Sequence, residues 1–254
     1  MGHVEKYLLE KIKHEGAIHL TLIDPDKESL DSVAKVAREA ETGGTAAIMI
    51  GGSTATSALH MDALITAIKK VTKIPVIIFP GNVFSVSQHA DAIWFMSLLN
   101  SFNPYFITEA QALGAPLIKK YNLEPLPMGY IIVGEGGTAG YIGQAHSIPY
   151  NRPEIAALYA LAAQYLGMRF VYLEAGSGAQ HPVPPQMVAK VRHLIDITMV
   201  VGGGIRTGTD AAKIVEAGAD ALVTGTVIEK TVSVTEKISE ITKGIRTALN
   251  KRVR

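Results

Sequence analysis

At 254 residues, 48% hydrophobic and 19% charged, the chain can bury the core of one ordinary domain. Its 24 Lys and Arg stand against 23 Asp and Glu, which excludes the large positive field that recruits nucleic acid but leaves local basic groups able to hold a small anion. The absence of cysteine excludes disulfides, thiolate nucleophiles and thiolate metal sites and fits a cytoplasmic protein. No apolar run approaches the roughly 18 residues of a membrane span, and the start, Met1-Gly-His-Val-Glu-Lys-Tyr7, lacks a signal-peptide core, so a soluble protein is expected.

In chain order, residues 4–14 read as a short amphipathic helix, and Ala17-Ile-His-Leu-Thr-Leu-Ile23 as a strand stopped by Asp24-Pro25. Residues 28–41 have helical spacing closed by Gly43-Gly44, and Thr45-Ala-Ala-Ile-Met-Ile50 is a second buried strand before Gly51-Gly-Ser53. The same rhythm continues with a helix near 57–72, a strand at 75–79, a short helix near 85–89, a strand at 92–96 and a helix near 104–121. A fifth strand, Met128–Val133, precedes Gly134-Glu-Gly-Gly-Thr-Ala-Gly-Tyr-Ile-Gly143, which reads as an irregular loop and a candidate lid. A helix at 153–166, a strand at 169–174 and a helix near 184–194 follow. Two glycine-terminated strand runs, 198–207 and 219–228, and a helix at 233–250 complete eight strand–helix units.

Unbroken hydrophobic strands alternating with amphipathic helices predict a parallel sheet buried on both faces. Eight units predict an α/β fold, a single (β/α)₈ TIM barrel over residues 1–254, which typically needs roughly 250 residues. An open doubly wound sheet is the alternative, since periodicity does not distinguish closure. The glycines nevertheless follow the seventh strand, not the first as a dinucleotide fingerprint requires.

Chemistry concentrates at the strand ends. Gly202-Gly-Gly204 and Gly225-Thr226 place backbone N–H groups of adjacent loops where they can converge on one anion, and Glu174-Ala-Gly-Ser-Gly178 adds a third glycine-rich loop with the Ser177 hydroxyl. Together they read as a phosphate cup after strands six, seven and eight, against the plainer reading of tight βα turns. Glu174 ends a buried strand, where desolvation raises a carboxyl pKa and suits it to take a proton; a structural ion pair is the alternative. Tyr172, two residues earlier, points to the same side. Asp24 and Asp26 flank Pro25 at the end of strand one and Ser53 stands at the corresponding end of strand two; they offer the hard oxygen ligands that suit Mg²⁺, or else Asp26 or Ser53 simply caps the helix that follows. The eight histidines show no H-x-H or H-E-x-x-H spacing.

Five motifs in order, Asp24-Pro-Asp-Lys27, Ile50-Gly-Gly-Ser53, Tyr172-Leu-Glu-Ala-Gly-Ser-Gly178, Val201-Gly-Gly-Gly-Ile-Arg206 and Val223-Thr-Gly-Thr226, resemble the geranylgeranylglyceryl phosphate synthase family over nearly the whole chain. Ser97-Leu-Leu-Asn-Ser-Phe-Asn-Pro-Tyr105 is similar to its longer archaeal-type members. The resemblance implies a Mg²⁺-dependent prenyltransferase of archaeal ether-lipid synthesis that joins geranylgeranyl diphosphate to the 3-hydroxyl of sn-glycerol 1-phosphate. It implies Glu174 as the catalytic base and a substrate site of Tyr172, Leu173, Glu174, Ala175, Gly176, Ser177, Gly178, Gly203, Gly204, Gly225 and Thr226, with Mg²⁺ at Asp24 and Ser53.

The chain departs from shorter members at Leu22, where they carry lysine, and at Gly225-Thr226, where they carry Gly-Asn; Lys27 and Arg206 are the candidates for the displaced phosphate contacts. At about 0.8 kcal/mol per buried carbon, a twenty-carbon chain gains up to roughly 16 kcal/mol, so a partly open groove is expected. Its lining is expected from the region of Trp94, Phe95, Phe102 and Tyr105, which alternatively pack as core or form a subunit contact. A dimer or hexamer and transient contact with a membrane surface are expected. Another polyprenylglyceryl phosphate synthase, a phosphosugar isomerase or aldolase, and a non-catalytic phosphometabolite sensor are the rivals.

Overall fold

The computed structural model describes residues 1–52 and 57–252, with side chains through residue 249. Eight parallel strands close on themselves in sequence order: β1 (Ile18–Ile23), β2 (Ala47–Ile50), β3 (Val76–Ile78), β4 (Ala92–Leu98), β5 (Glu124–Ile132), β6 (Phe170–Glu174), β7 (Thr198–Gly202) and β8 (Ala221–Thr224). The closing pair is β1 with β8, in register Ile18↔Ala221 through Thr21↔Thr224. Closure removes the open-sheet alternative and leaves no unpaired edge. The helices are α1 (His3–Glu15), α2 (Leu30–Gly43), α3 (Ala58–Lys69), α4 (Ala110–Lys120), α5 (Gly137–Ile142), α6 (Pro153–Tyr165), α7 (Pro185–Arg192), α8 (Gly208–Glu216), α9 (Thr226–Glu229) and α10 (Val234–Arg252). No helix among the described residues is long and apolar enough to cross a membrane.

Alternation along each strand divides the apolar side chains into a lumen and a helix-facing shell. Leu20, Met49, Ile77, Trp94, Met128, Phe170, Tyr172 and Val200 fill the lumen, whereas Ile48, Ile50, Val171, Leu173 and Val201 pack outward against helices. The lower mouth is sealed by α1. Its Val4 and Leu8 enter the lumen cluster, and the Glu124 carboxylate accepts hydrogen bonds from the free N–H groups of Val4 and Glu5, each at 2.8 Å. The fully buried Glu5 is paired with Arg169 through two hydrogen bonds of 2.5 and 2.8 Å. A ligand therefore enters from the opposite mouth, where the strands end.

Four local readings change. Residues 134–143 are not wholly irregular, because α5 occupies Gly137–Ile142. The glycines there serve close approach: a Cβ on Gly176 would lie 2.5 Å from the Gly137 nitrogen, so the two loops press together backbone to backbone. The helix expected near 85–89 is a 3₁₀ turn at Val83–Ser85, started early because the Asn82 side chain accepts from Phe84 N at 2.7 Å. β5 begins at Glu124, before the prolines that argue against a strand; over Glu124–Pro127 it pairs with β4 alone, so a missing N–H costs little. The helix expected near 104–121 opens with a π-helical turn, Tyr105–Glu109, before α4.

Candidate active site

The upper mouth leads into a cavity of about 640 Å³ with two chemically distinct ends. One end is polar and built from the loops after β6, β7 and β8. Gly203 and Gly204 both hold left-handed backbone (φ +83° and +71°), a conformation that turns successive N–H groups to one side. Neither tolerates a side chain: a Cβ on Gly203 would lie 2.6 Å from Glu174 Oε1 and 2.7 Å from Gly176 N, and one on Gly204 2.7 Å from the His181 carbonyl. The Ser177 and Thr226 hydroxyls meet at 3.0 Å, joining the loops after β6 and β8. Beneath this end, His19 bonds Thr45 Oγ1 (3.0 Å) and, across the closing strand pair, Thr224 Oγ1 (2.8 Å), next to Gly225. Burial lowers the His19 pKa to about 3, so the ring is neutral.

The sequence-predicted residues divide in a simple way. Tyr172, Glu174, Ser177, Gly178, Gly203, Gly204, Gly225, Thr226 and Asp24 line the cavity. Leu173 and Ala175, pointing the other way along the same stretch, are buried in the helix-side core. Gly176 acts through its backbone, donating to Glu174 Oε1 at 2.6 Å. Ser53 lies outside the described residues; Gly52, just before it, would bring a Cβ within 3.0 Å of Asp24 Oδ1.

Glu174 sits where the polar end meets the apolar one. It is 6% exposed, and burial raises its carboxyl pKa; the Gly176 N–H and hydrogen bonds from the Tyr172 and Tyr130 phenols act in the opposite direction. The structural ion pair considered from sequence is absent among the described residues, where Glu174 Oε1 accepts from the Gly176 N–H instead. Burial together with the Glu174 charge lifts both phenols well above the ordinary tyrosine value.

Lys27 and Arg206 are both engaged. Lys27 Nζ lies 3.0 Å from Asp24 Oδ2 and 3.0 Å from Glu229 Oε2, tying the turn after β1 to α9. Arg206 donates to the carbonyls of Gln180 (2.7 Å) and Ala179 (2.6 Å) and so clamps the loop after β6. No group of three or more His, Asp or Glu side chains forms a metal cage among the described residues. Mg²⁺ needs none, since it typically takes one or two carboxylates with waters and substrate phosphates. Asp24 is the carboxylate among the lining residues that would serve, its Oδ1 accepting from Asp26 N at 3.1 Å and its Oδ2 lying 3.0 Å from Lys27 Nζ.

The apolar end runs between β3, β4, β5 and α4. Trp94, Phe95 and Tyr105 line it as expected. Phe102 does not: it is 73% exposed and stacks on His146 with ring centroids 5.0 Å apart. Its place is taken by Phe106, Val86 and Ile118, brought in by the π-helical turn, the 3₁₀ turn and α4. Sequence reading missed Tyr130 and Phe79, which brace Tyr172 at centroid distances of 5.2 and 5.9 Å. The available signal was phase: β5 pairs Tyr130 with Tyr172, so both point into the lumen. Gly202 also makes room for Tyr172, since a Cβ there would lie 2.0 Å from the Tyr172 hydroxyl.

Comparison with known proteins agrees with this geometry. A geranylgeranylglyceryl phosphate synthase of Pyrococcus furiosus is 54% identical over 96% of this chain and 98% of its own, and one of Nitrosopumilus maritimus is 53% identical over 96% and 97%. The crystal structure of (S)-3-O-geranylgeranylglyceryl phosphate synthase from Thermoplasma acidophilum, in complex with its substrate sn-glycerol-1-phosphate, superposes with a TM-score of 0.94 at 43% identity, covering 97% of this chain and all of that one. The PcrB family profile matches residues 10–245. The chain therefore belongs to the PcrB family, alongside its geranylgeranylglyceryl phosphate synthases.

Proposed function

We propose that the protein transfers the geranylgeranyl group of geranylgeranyl diphosphate to the 3-hydroxyl of sn-glycerol 1-phosphate, with Glu174 as the base. The observation that carries this reading is the position of Glu174, a buried carboxylate at the junction of an anion cup and an apolar channel in one cavity. The ligand of the Thermoplasma acidophilum enzyme supports the glycerol phosphate half, and the names of the relatives support the prenyl half.

The phosphate of glycerol 1-phosphate rests on the loops carrying Ser177, Gly203-Gly204 and Gly225-Thr226, which brings the far hydroxyl to Glu174. The hydroxyl oxygen bonds to the allylic C1 as the bond from C1 to the diphosphate oxygen breaks; diphosphate leaves with that electron pair. The hydroxyl proton passes to the Glu174 carboxylate and from there to water. Asp24, together with Ser53, would hold Mg²⁺, which when bound neutralises charge developing on the departing diphosphate. The apolar end holds the tail and keeps water from C1.

The reading includes a cytoplasmic location, transient contact with a membrane surface from which so apolar a substrate arrives, and assembly as a homo-oligomer. Leu158 and Tyr165, 62% and 79% exposed on α6, support the last of these. The base is tested by Glu174→Gln. Turnover is expected to fall about 10³-fold while glycerol 1-phosphate affinity, measured by calorimetry, stays within about threefold, because the phosphate is held by other loops. Near-normal turnover would reject the base.

A further inference from the structure

We propose that Tyr130 is a positioning residue for the base: with Tyr172 it clamps the Glu174 carboxylate from two adjacent strands and holds it aimed into the cavity. This rests on Glu174 being the base and assigns a role to a strand that carries none of the glycine motifs.

The clamp follows from register. β5 and β6 pair Tyr130 with Tyr172 and, two residues on, Ile132 with Glu174, so the two phenols stand side by side below the carboxylate. Both rings are buried, at 4% and 1% exposure, and meet edge to face at 5.2 Å. Phe79 closes the third side, 5.6 Å from Tyr130 and 5.9 Å from Tyr172. Three rings braced in this way stand below Glu174, and the two phenols pull its carboxyl pKa down against the effect of burial. Gly202 keeps that space open above Tyr172, and Gly203 does so beside Glu174 Oε1.

The chemistry explains why a base would need such a clamp. A carboxylate stripped of water favours its protonated form, in which it is useless as a base. The Gly176 N–H serves Oε1 at 2.6 Å, and the two phenols lower the carboxyl pKa further while adding no charge to the site. A lysine or arginine there would hold the carboxylate ionised more strongly but make it a poor proton acceptor. The Glu174 charge also raises the pKa of Tyr150, on which burial acts most and Glu135 acts as well, and whose hydroxyl donates to the His181 carbonyl at 2.9 Å.

Tyr130→Phe keeps the ring and removes only the donor. The acid limb of kcat/KM is expected to move to higher pH by about 0.5–1 unit, the effect of one lost hydrogen bond. The variant's kcat at pH 6 should fall several-fold, with KM for glycerol 1-phosphate within about twofold. An infrared titration of the Glu174 carboxyl band, identified by its loss in Glu174→Gln, should show the same displacement without any turnover. An acid limb and a carboxyl titration that both coincide with those of the unaltered protein overturn the clamp, whatever happens to kcat. Near-normal turnover of Glu174→Gln would instead remove the base, and the infrared titration would still decide whether Tyr130 governs the carboxyl.

Discussion

The two ends of the cavity are built by opposite means. The cup after β6, β7 and β8 is largely backbone, with Gly176, Gly203 and Gly204 in left-handed turns where a single added carbon would collide with a neighbouring loop. The apolar end is side chain, assembled from β3, β4, β5, a π-helical turn, a 3₁₀ turn and α4. An anion requires donors fixed in direction, and fixed backbone demands particular residues. A hydrocarbon tail requires only area, which many combinations of Trp, Phe, Val and Ile supply. Damage to the first end should therefore be severe and specific, and damage to the second graded.

The largest effect is expected from Gly203→Val. Its side chain would strike Glu174 and Gly176 from a backbone that β-branched residues avoid. Glycerol 1-phosphate affinity should fall at least about 100-fold and unfolding free energy by about 2–4 kcal/mol in urea titrations. An affinity within a few-fold of the parent would show that the cup is more yielding than its geometry.

Acid should weaken the same side next. Unfolded His19 takes a proton below its ordinary 6.5, whereas the folded ring does so only near 3, so protons favour the unfolded chain across that window. The His19 contribution is fully present above pH 6.5 and is lost at about 1.4 kcal/mol per unit as pH falls toward 3. His19→Gln should flatten this slope, measured by urea unfolding between pH 7 and 4.5.

At the apolar end, Phe106→Ala removes a cavity-lining ring that meets Tyr105 edge to face at 5.1 Å. The KM for geranylgeranyl diphosphate should rise about tenfold, the effect of roughly 1.4 kcal/mol of lost apolar contact. Calorimetric affinity for glycerol 1-phosphate should not change; coupled losses of both would erase the distinction between the two ends. The smallest effect is expected from Lys27→Met. With its side chain 51% exposed, the ion pairs to Asp24 and Glu229 should change unfolding free energy by less than about 1 kcal/mol.

The same contrast explains what was legible in the chain. Barrel order, the cup glycines, Asp24 and Glu174 are visible in sequence because each is a residue type forced by backbone geometry or by the cost of placing charge at a strand end. The α5 helix was hidden behind Gly134-Glu-Gly-Gly137, because glycines that permit loop contact look the same as glycines that permit disorder. Phe102 and Phe106 lie four residues apart and differ little as sequence; the π-helical turn begins between them and only the second lines the cavity. Tyr130 needed the register of a strand whose first half is disguised by Pro125 and Pro127. Lys27 and Arg206, candidates for phosphate contact because Leu22 and Thr226 depart from the shorter members, both line the cavity, but their partners, Glu229 and the carbonyls of residues 179 and 180, are not legible locally.

Cup, base and apolar end together should serve one transfer. The direct measurement is to incubate the protein with labelled glycerol 1-phosphate, geranylgeranyl diphosphate and Mg²⁺, extract with organic solvent, and quantify released diphosphate in parallel. Extractable label should appear in step with diphosphate, one to one. Label that stays in the aqueous phase at every prenyl length tried, or diphosphate released without it, would contradict the claim.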